Sequence, residues 1–173
     1  GRELPRPRAG AKGYLLPFWS ADGASVYGQD LDTLYRIDAE SGAVVERRPL
    51  ASVTGGEAMV SSALRFSLSP DGTMWLFDAE VEDTGKLMKH GEPLNSAVFL
   101  HTPADGKTRR LTPETICAMH PSWLPGGREF LFAGYGPKEA KRKGSPFAIF
   151  RRGFDGTKTT LLIKDGDSPS AGL

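Results

Sequence analysis

The sequence has one cysteine, almost no net charge and no long apolar run, and each of these absences excludes a class of protein. Cys117 is the single cysteine, so no disulfide can form within the chain. Lys and Arg number 22 against 21 Asp and Glu, and the resulting net charge of +1 gives no field that favours nucleic acid. No stretch approaches the roughly 20 apolar residues of a membrane helix. We therefore expect neither nucleic-acid binding nor membrane insertion.

Glycine and proline are abundant instead, with 21 and 13 residues. This composition is typical of chains in which many short strands are separated by turns. Residues 1–13 are rich in Arg and Pro and hold little that could be buried, so they predict a flexible basic linker. Residues 166–173 are rich in Ser, Pro and Gly and predict a flexible tail.

One phrase returns three times along the chain. It is Pro-Phe-Trp-Ser-Ala-Asp-Gly at residues 17–23, Phe-Ser-Leu-Ser-Pro-Asp-Gly at 66–72 and Pro-Ser-Trp-Leu-Pro-Gly-Gly at 121–127. The final glycines stand at positions 23, 72 and 127, which gives steps of 49 and 55 residues. A period of roughly 40–50 residues with β patterning indicates propeller blades.

Two apolar strands and a closing hairpin follow each copy. Ser41-Gly42, Asp105-Gly106 and Asp155-Gly156 accept the positive φ angles that a tight hairpin needs. The sequence therefore predicts an all-β fold of about three four-stranded antiparallel blades. The blades are expected at about residues 14–50, 63–113 and 118–165.

Several residues of the repeated phrase have predicted structural roles. The Asp side chains hydrogen-bond nearby backbone, the glycines take the left-handed position of the turn, and the tryptophans pack between adjacent blades. The residues with these turn and packing roles are Trp19, Asp22, Gly23, Asp71, Gly72, Trp123 and Gly127.

The phrase resembles the TolB-like β-propeller repeat, a WD40-like Pro-Asp-Gly repeat, most clearly at residues 17–23 and 68–72. The third copy departs from it, with Leu124 for Ser and Gly126 for Asp. The resemblance covers residues 14–165 and implies a propeller. Similar repeats occur in a periplasmic protein-docking module, in the gating propellers of prolyl oligopeptidase-type serine peptidases and in bacterial cell-envelope proteins. The resemblance therefore implies a fold more firmly than a function.

The number of blades is low for a closed ring. Closed propellers have about 4–8 blades, and open blade edges invite association. We expect the chain to be part of a longer polypeptide with a ring of about six to eight blades. The alternative is a homodimer in which two copies close one ring.

The second and third units carry extra loops at the same connection. Twelve residues separate Gly23 from Tyr35 in the first unit, whereas the corresponding separations are 27 and 23 residues in the other two. The loops, about residues 80–93 and 136–146, should project from one rim and form a binding face, unless they are only solvated insertions. The candidate partner-binding residues are Lys89, His90, Lys141, Arg142 and Lys143.

Catalytic and metal-binding motifs are weak. No Gly-x-Ser-x-Gly elbow is present, and the Gly-Asp-Ser-Pro phrase at residues 166–169 has no evident partners for a triad. Cys117 and His120 make one ligand pair where structural zinc needs four ligands, and we assign His101 and His120 to structural roles. No enzyme activity, metal or cofactor is expected.

The sequence thus predicts a non-catalytic scaffold for protein or ligand recognition, with the resemblance implying a bacterial periplasmic or other extracytoplasmic location. Two alternatives stay open. One is the gating propeller of a serine peptidase whose catalytic domain lies outside this sequence, and the other is a cell-envelope sensor or lipoprotein.

Overall fold

The computed structural model describes residues 13–56, 58–82, 84, 95–155 and 158–171. Over these residues three sheets form, each of four antiparallel strands in sequential order, which confirms the predicted all-β blades. The strands are β1 Leu15–Trp19, β2 Ser25–Gln29, β3 Thr33–Asp38, β4 Val44–Pro49, β5 Arg65–Leu68, β6 Trp75–Glu80, β7 Ser96–Thr102, β8 Lys107–Arg110, β9 Cys117–Trp123, β10 Glu129–Tyr135, β11 Ala148–Gly153 and β12 Thr159–Ile163. A short helix, α1 Ala51–Thr54, and a 3-10 turn, Glu139–Lys141, complete the elements. None of the described helices is long and apolar enough to cross a membrane.

The first hairpin of each blade forms because the repeated phrase supplies its own turn bonds. The Asp22 carboxylate accepts hydrogen bonds from Ser20 Oγ at 2.6 Å and from Ala24 N at 3.0 Å. Asp71 makes the same pair of bonds in the second blade. These bonds lower the pKa of both carboxyl groups, led in each case by the serine hydroxyl.

The third blade reaches the same turn without the aspartate. Gly127 has φ +65°, close to +70° at Gly23 and +71° at Gly72, and its N–H bonds Leu124 O at 2.9 Å. The left-handed glycine is therefore sufficient to close this turn when Gly126 replaces the Asp.

Aromatic side chains fill the space between the first two blades. Phe18 stacks on Tyr27 at 5.1 Å and on Phe66 at 5.3 Å between ring centroids, and Phe66 lies 5.5 Å from Phe77. A second cluster joins the second and third blades and is built from both of their facing sheets. Its large members are Leu76, Val98, Leu100, Trp123, Phe130, Phe132 and Phe150. Burial of each such side chain contributes about 1.5–3 kcal/mol before entropic costs.

The two repeated tryptophans have different environments. Trp123 is 5% exposed, and its indole Nε1 donates a hydrogen bond to Ser67 O of the preceding blade at 3.1 Å. Trp19, at the same repeat position, is 62% exposed in the described structure, so its packing between blades stays a prediction. The reason for its exposure is strand alternation. Phe18 points toward the second blade, which leaves Trp19 on the opposite face of the first blade, where no described blade lies.

Strand direction sets which connections share an end of the sheets. In each blade the second strand runs antiparallel to the inner strand (β1, β5 or β9). The start of the inner strand therefore lies at the same end of the sheet as the connection from the second to the third strand. Both long connections, β6–β7 and β10–β11, lie at this end, which we call the insertion face. The β7–β8 turn around Asp105 lies at the opposite end.

Candidate functional site

A pocket of about 320 Å³ lies at the insertion face between the second and third blades. Its walls come from the segment before β5, the end of β6, the start of β7 and the inner strand β9. The lining residues that matter below are Leu64, Asp78, Glu80, Asn95, Met119 and His120. The volume is at the lower end of the range of about 300–1,000 Å³ for ligand pockets.

Asp78 is the central polar group of this pocket. Its side chain is only 5% exposed, and its two carboxylate oxygens accept hydrogen bonds from Arg65 N and His120 N, each at 2.8 Å. Burial raises the pKa of Asp78 above its ordinary value, although the two N–H donors act in the opposite direction. One carboxylate thus joins the inner strands of two neighbouring blades.

A bulge in β9 aims the His120 N–H at Asp78. His120 has φ +54°, and the pairing of β9 with β10 shifts register between Leu131 and Ala133. The extra residue takes the N–H out of the strand ladder and turns it toward the neighbouring blade. Leu16, which lies at the same repeat position in the first blade, also has a positive φ, +43°, whereas Arg65 in the second blade pairs without a register shift, so the bulge occurs in the first and third blades.

The His120 ring contacts the chain segment that follows β12. Its Nδ1 lies 2.8 Å from Asp167 Oδ1 and 3.1 Å from Ser168 Oγ. Partial burial acts to raise the pKa of Asp167, but hydrogen bonds from His120 and Ser168 lower it overall. A catalytic triad needs the nucleophile on Nε2 and the carboxylate on Nδ1, whereas here both groups share Nδ1. These three side chains therefore lack the geometry of a serine hydrolase.

The predicted basic residues have separate outcomes. Lys89 and His90 lie outside the described residues. Lys141 and Lys143 are exposed at the 3-10 turn of the β10–β11 connection. Arg142 instead bonds its own chain, because its guanidinium donates to Lys164 O and, at 2.5 Å, to Asp165 Oδ1.

Arg142 links the predicted basic cluster to the pocket. Its two bonds hold residues 164–165 at the end of β12, and Asp167, two residues further on, contacts His120. Asp78, Asn95 and Asp167 were not predicted as site residues from the sequence. Asp78 had a visible signal, since it is the single charged residue in the run Trp75–Ala79, whose other members are apolar.

The other candidate ligand residues are structural in the described part of the chain. His101 is 1% exposed, and its Nδ1 lies 2.9 Å from Thr108 Oγ1, which itself donates to Val53 O. The Thr108 proton is thus used, so His101 Nδ1 carries the hydrogen. Burial, followed by the charge of Arg48, lowers the pKa of His101. No group of three or more His, Cys, Asp or Glu among the described residues is placed to hold a metal ion.

The fold is similar to solved structures at low sequence identity. TolB from Acinetobacter baumannii matches with a TM-score of 0.50 and 21% identity, covering 86% of this chain and 31% of that chain. A nidogen/laminin complex matches with a TM-score of 0.56 and 14% identity, covering 90% of this chain and 49% of that one. U3-55K matches with a TM-score of 0.54 and 11% identity, covering 96% and 42% respectively.

No family model and no curated protein matches the sequence. The chain spans less than a third of the TolB chain and less than half of the other two. At these identities the likeness concerns the fold alone. Together with the three four-stranded sheets, it confirms the β-propeller fold expected from the repeated phrase, in agreement with its resemblance to TolB-like and WD40-like repeats.

Proposed function

We propose that this chain is a non-catalytic recognition scaffold that binds a protein or peptide partner at the insertion face. The observation that carries the proposal is the position of the pocket, which lies at the end of the sheets that also bears both long connections. Pockets with apolar walls and a few placed polar groups are the usual binding sites of rigid folds.

The surroundings of the pocket support a macromolecular partner. Lys141 and Lys143 are exposed on the β10–β11 connection at the same end of the sheets, and Arg142 bonds that connection to the end of the third blade. A rigid concave centre with a charged rim suits a protein segment better than an isolated small molecule.

Two alternative roles from the sequence resemblance have discriminating tests. A gating propeller requires a hydrolase domain with a nucleophile elbow in the same gene, which sequencing of the flanking region would reveal. A cell-envelope sensor, or any periplasmic location, requires export, which fractionation of the native host would detect. We place the protein outside the cytoplasm of a bacterium on the resemblance alone.

The scaffold proposal is tested by selecting peptides on the wild-type protein from a displayed random library. Ala63, an exposed residue of the pocket wall, is then changed to Phe to fill the pocket, and Lys141 and Lys143 are both changed to Glu. The matched controls are Ala104→Phe and Lys107→Glu, which change exposed residues near the opposite end.

Selected peptides should bind the insertion-face variants about tenfold or more weakly and the control variants with unchanged affinity. Thermal melts by circular dichroism check that all variants are folded. Peptides that bind every insertion-face variant as tightly as the wild-type protein would overturn the proposal.

A further inference from the structure

Hydrogen-bond acceptors are prominent among the polar groups that line the pocket, beside the hydroxyls of Ser61 and Ser96 and the ring of His120. Buried Asp78 and exposed Glu80 supply two carboxylates. Asn95 Oδ1 is buried and has no hydrogen-bond partner within the described part of the chain. A ligand group that enters this pocket therefore meets acceptors and must bring donors.

No ion pair joins Asp78 to a described Lys or Arg, and its two bonds come from neutral backbone N–H groups. The charge of His120 also acts on Asp78, in the direction that lowers its pKa, but burial outweighs it. A carboxylate offers about four lone-pair sites, so two remain for a ligand. A buried carboxylate without a cation is costly, which agrees with the direction of its pKa shift.

The remaining walls are apolar. Leu64, Met119, Ala63 and Ala79 supply apolar lining to the pocket. Such walls suit methylene groups, which gain from leaving water and need no hydrogen bonds. The pocket thus pairs an apolar passage with a negatively charged centre.

From this arrangement we infer that the pocket binds an aliphatic ammonium group, namely the lysine side chain of a protein partner. The lysine stem has the length and apolar character to lie along Leu64 and Met119. Its ammonium brings three donors, which match the Asp78 carboxylate and Asn95 Oδ1. The inference rests on the proposed recognition function and names its ligand.

The test compares two short peptides that differ only in the ammonium group. The peptides are acetyl-Gly-Lys-Gly-amide and the same peptide with norleucine, and cadaverine serves as a third, small-molecule ligand. Binding is followed by NMR on the protein labelled with ¹³C in the methionine methyl groups, with the Met119 signal assigned from a Met119→Leu variant.

We expect the lysine peptide to shift the Met119 signal and to bind about tenfold or more tightly than the norleucine peptide. Asp78→Asn should weaken the lysine peptide about tenfold and leave the norleucine peptide unchanged. Asn95→Leu and Glu80→Gln, which leave both bonds of Asp78 intact, should each weaken only the lysine peptide. If cadaverine binds but the lysine peptide does not, the pocket binds an ammonium group, but the inference that this group belongs to a lysine of a protein partner is overturned.

Equal binding of the lysine and norleucine peptides would overturn the inference. So would a lysine peptide that leaves the Met119 signal in place. In either case, displayed peptides that still require the insertion face would show that the recognition function survives without the lysine assignment. If the lysine peptide shows no preference and the displayed peptides do not require the insertion face, both proposals are overturned.

Discussion

Trp19 and Trp123 occupy the same repeat position but should contribute differently to the free energy of unfolding. Trp123 is buried and hydrogen-bonded to the preceding blade, whereas Trp19 is mostly exposed. Trp123→Ala should lower the free energy of unfolding by about 3–5 kcal/mol. Trp19→Ala should lower it by less than about 0.5 kcal/mol. Urea denaturation of the two variants checks this, and equal losses would contradict the packing described here.

Asp78 should make stability depend on pH in a predictable direction. Because its pKa is raised by burial, the folded protein binds this proton more tightly than the unfolded chain. Asp78 therefore contributes stability at low pH that is lost as the pH rises through its folded-state pKa. Measured against Asp78→Asn, the wild-type protein should lose relative stability on going from acidic to neutral pH. Glu80, His120 and Asp167 lie nearby in both proteins. A difference in stability between them that does not change with pH would contradict the raised pKa of Asp78.

The same residue should be needed for the link between blades. Asp78→Ala leaves the buried N–H groups of Arg65 and His120 without acceptors, which costs about 1–3 kcal/mol for each group. The matched control is Asp105→Ala, since Asp105 accepts a local bond from Lys107 N in an exposed turn. Thermal unfolding should give a clearly lower midpoint for Asp78→Ala than for Asp105→Ala. Similar midpoints would contradict a stabilising role for the bonds of Asp78.

At the scale of elements, Arg142 should help to hold the segment after β12 against the β10–β11 connection. Arg142→Ala removes the contacts to Lys164 and Asp165, so residues 164–168 should exchange their amide hydrogens faster. Lys143→Ala changes an exposed neighbour and should leave exchange unaltered. Hydrogen-exchange mass spectrometry measures both. Unchanged protection in the Arg142 variant would mean that the segment is held elsewhere.

The strands themselves could be predicted from sequence because their signals are local. An adjacent Asp-Gly pair closes each turn in the first two blades, and alternation of apolar residues fixes the faces. The contact of Asp78 with His120 could not be predicted in the same way. It joins residues that are 42 positions apart in sequence, and it depends on a bulge that the repeated phrase does not predict. Alternation specifies the face that carries Trp19 but not what covers that face, so the packing of Trp19 between blades stays a prediction.

At the scale of the whole molecule, the question is whether a second copy of the chain covers the exposed faces of the outer blades. The alternative of a homodimer, in which two copies close one ring, stays a prediction. Light scattering behind a sizing column tests it: ring closure predicts a stable species at twice the chain mass of 18.7 kDa. Trp19→Ala should shift that species toward the single chain, because a second copy would cover the exposed indole. A monomer at all concentrations would contradict ring closure and favour blades supplied by a longer polypeptide.

The central claim is that recognition takes place at the insertion face between the second and third blades. Its most direct test is a hydrogen-exchange footprint of a peptide selected on the wild-type protein. We predict slower exchange at residues 78–80 and 119–120 when the peptide is bound, with no change in the β7–β8 turn at 103–107. Protection confined to that turn, or to the outer strand β12, would place the binding site elsewhere and contradict the account.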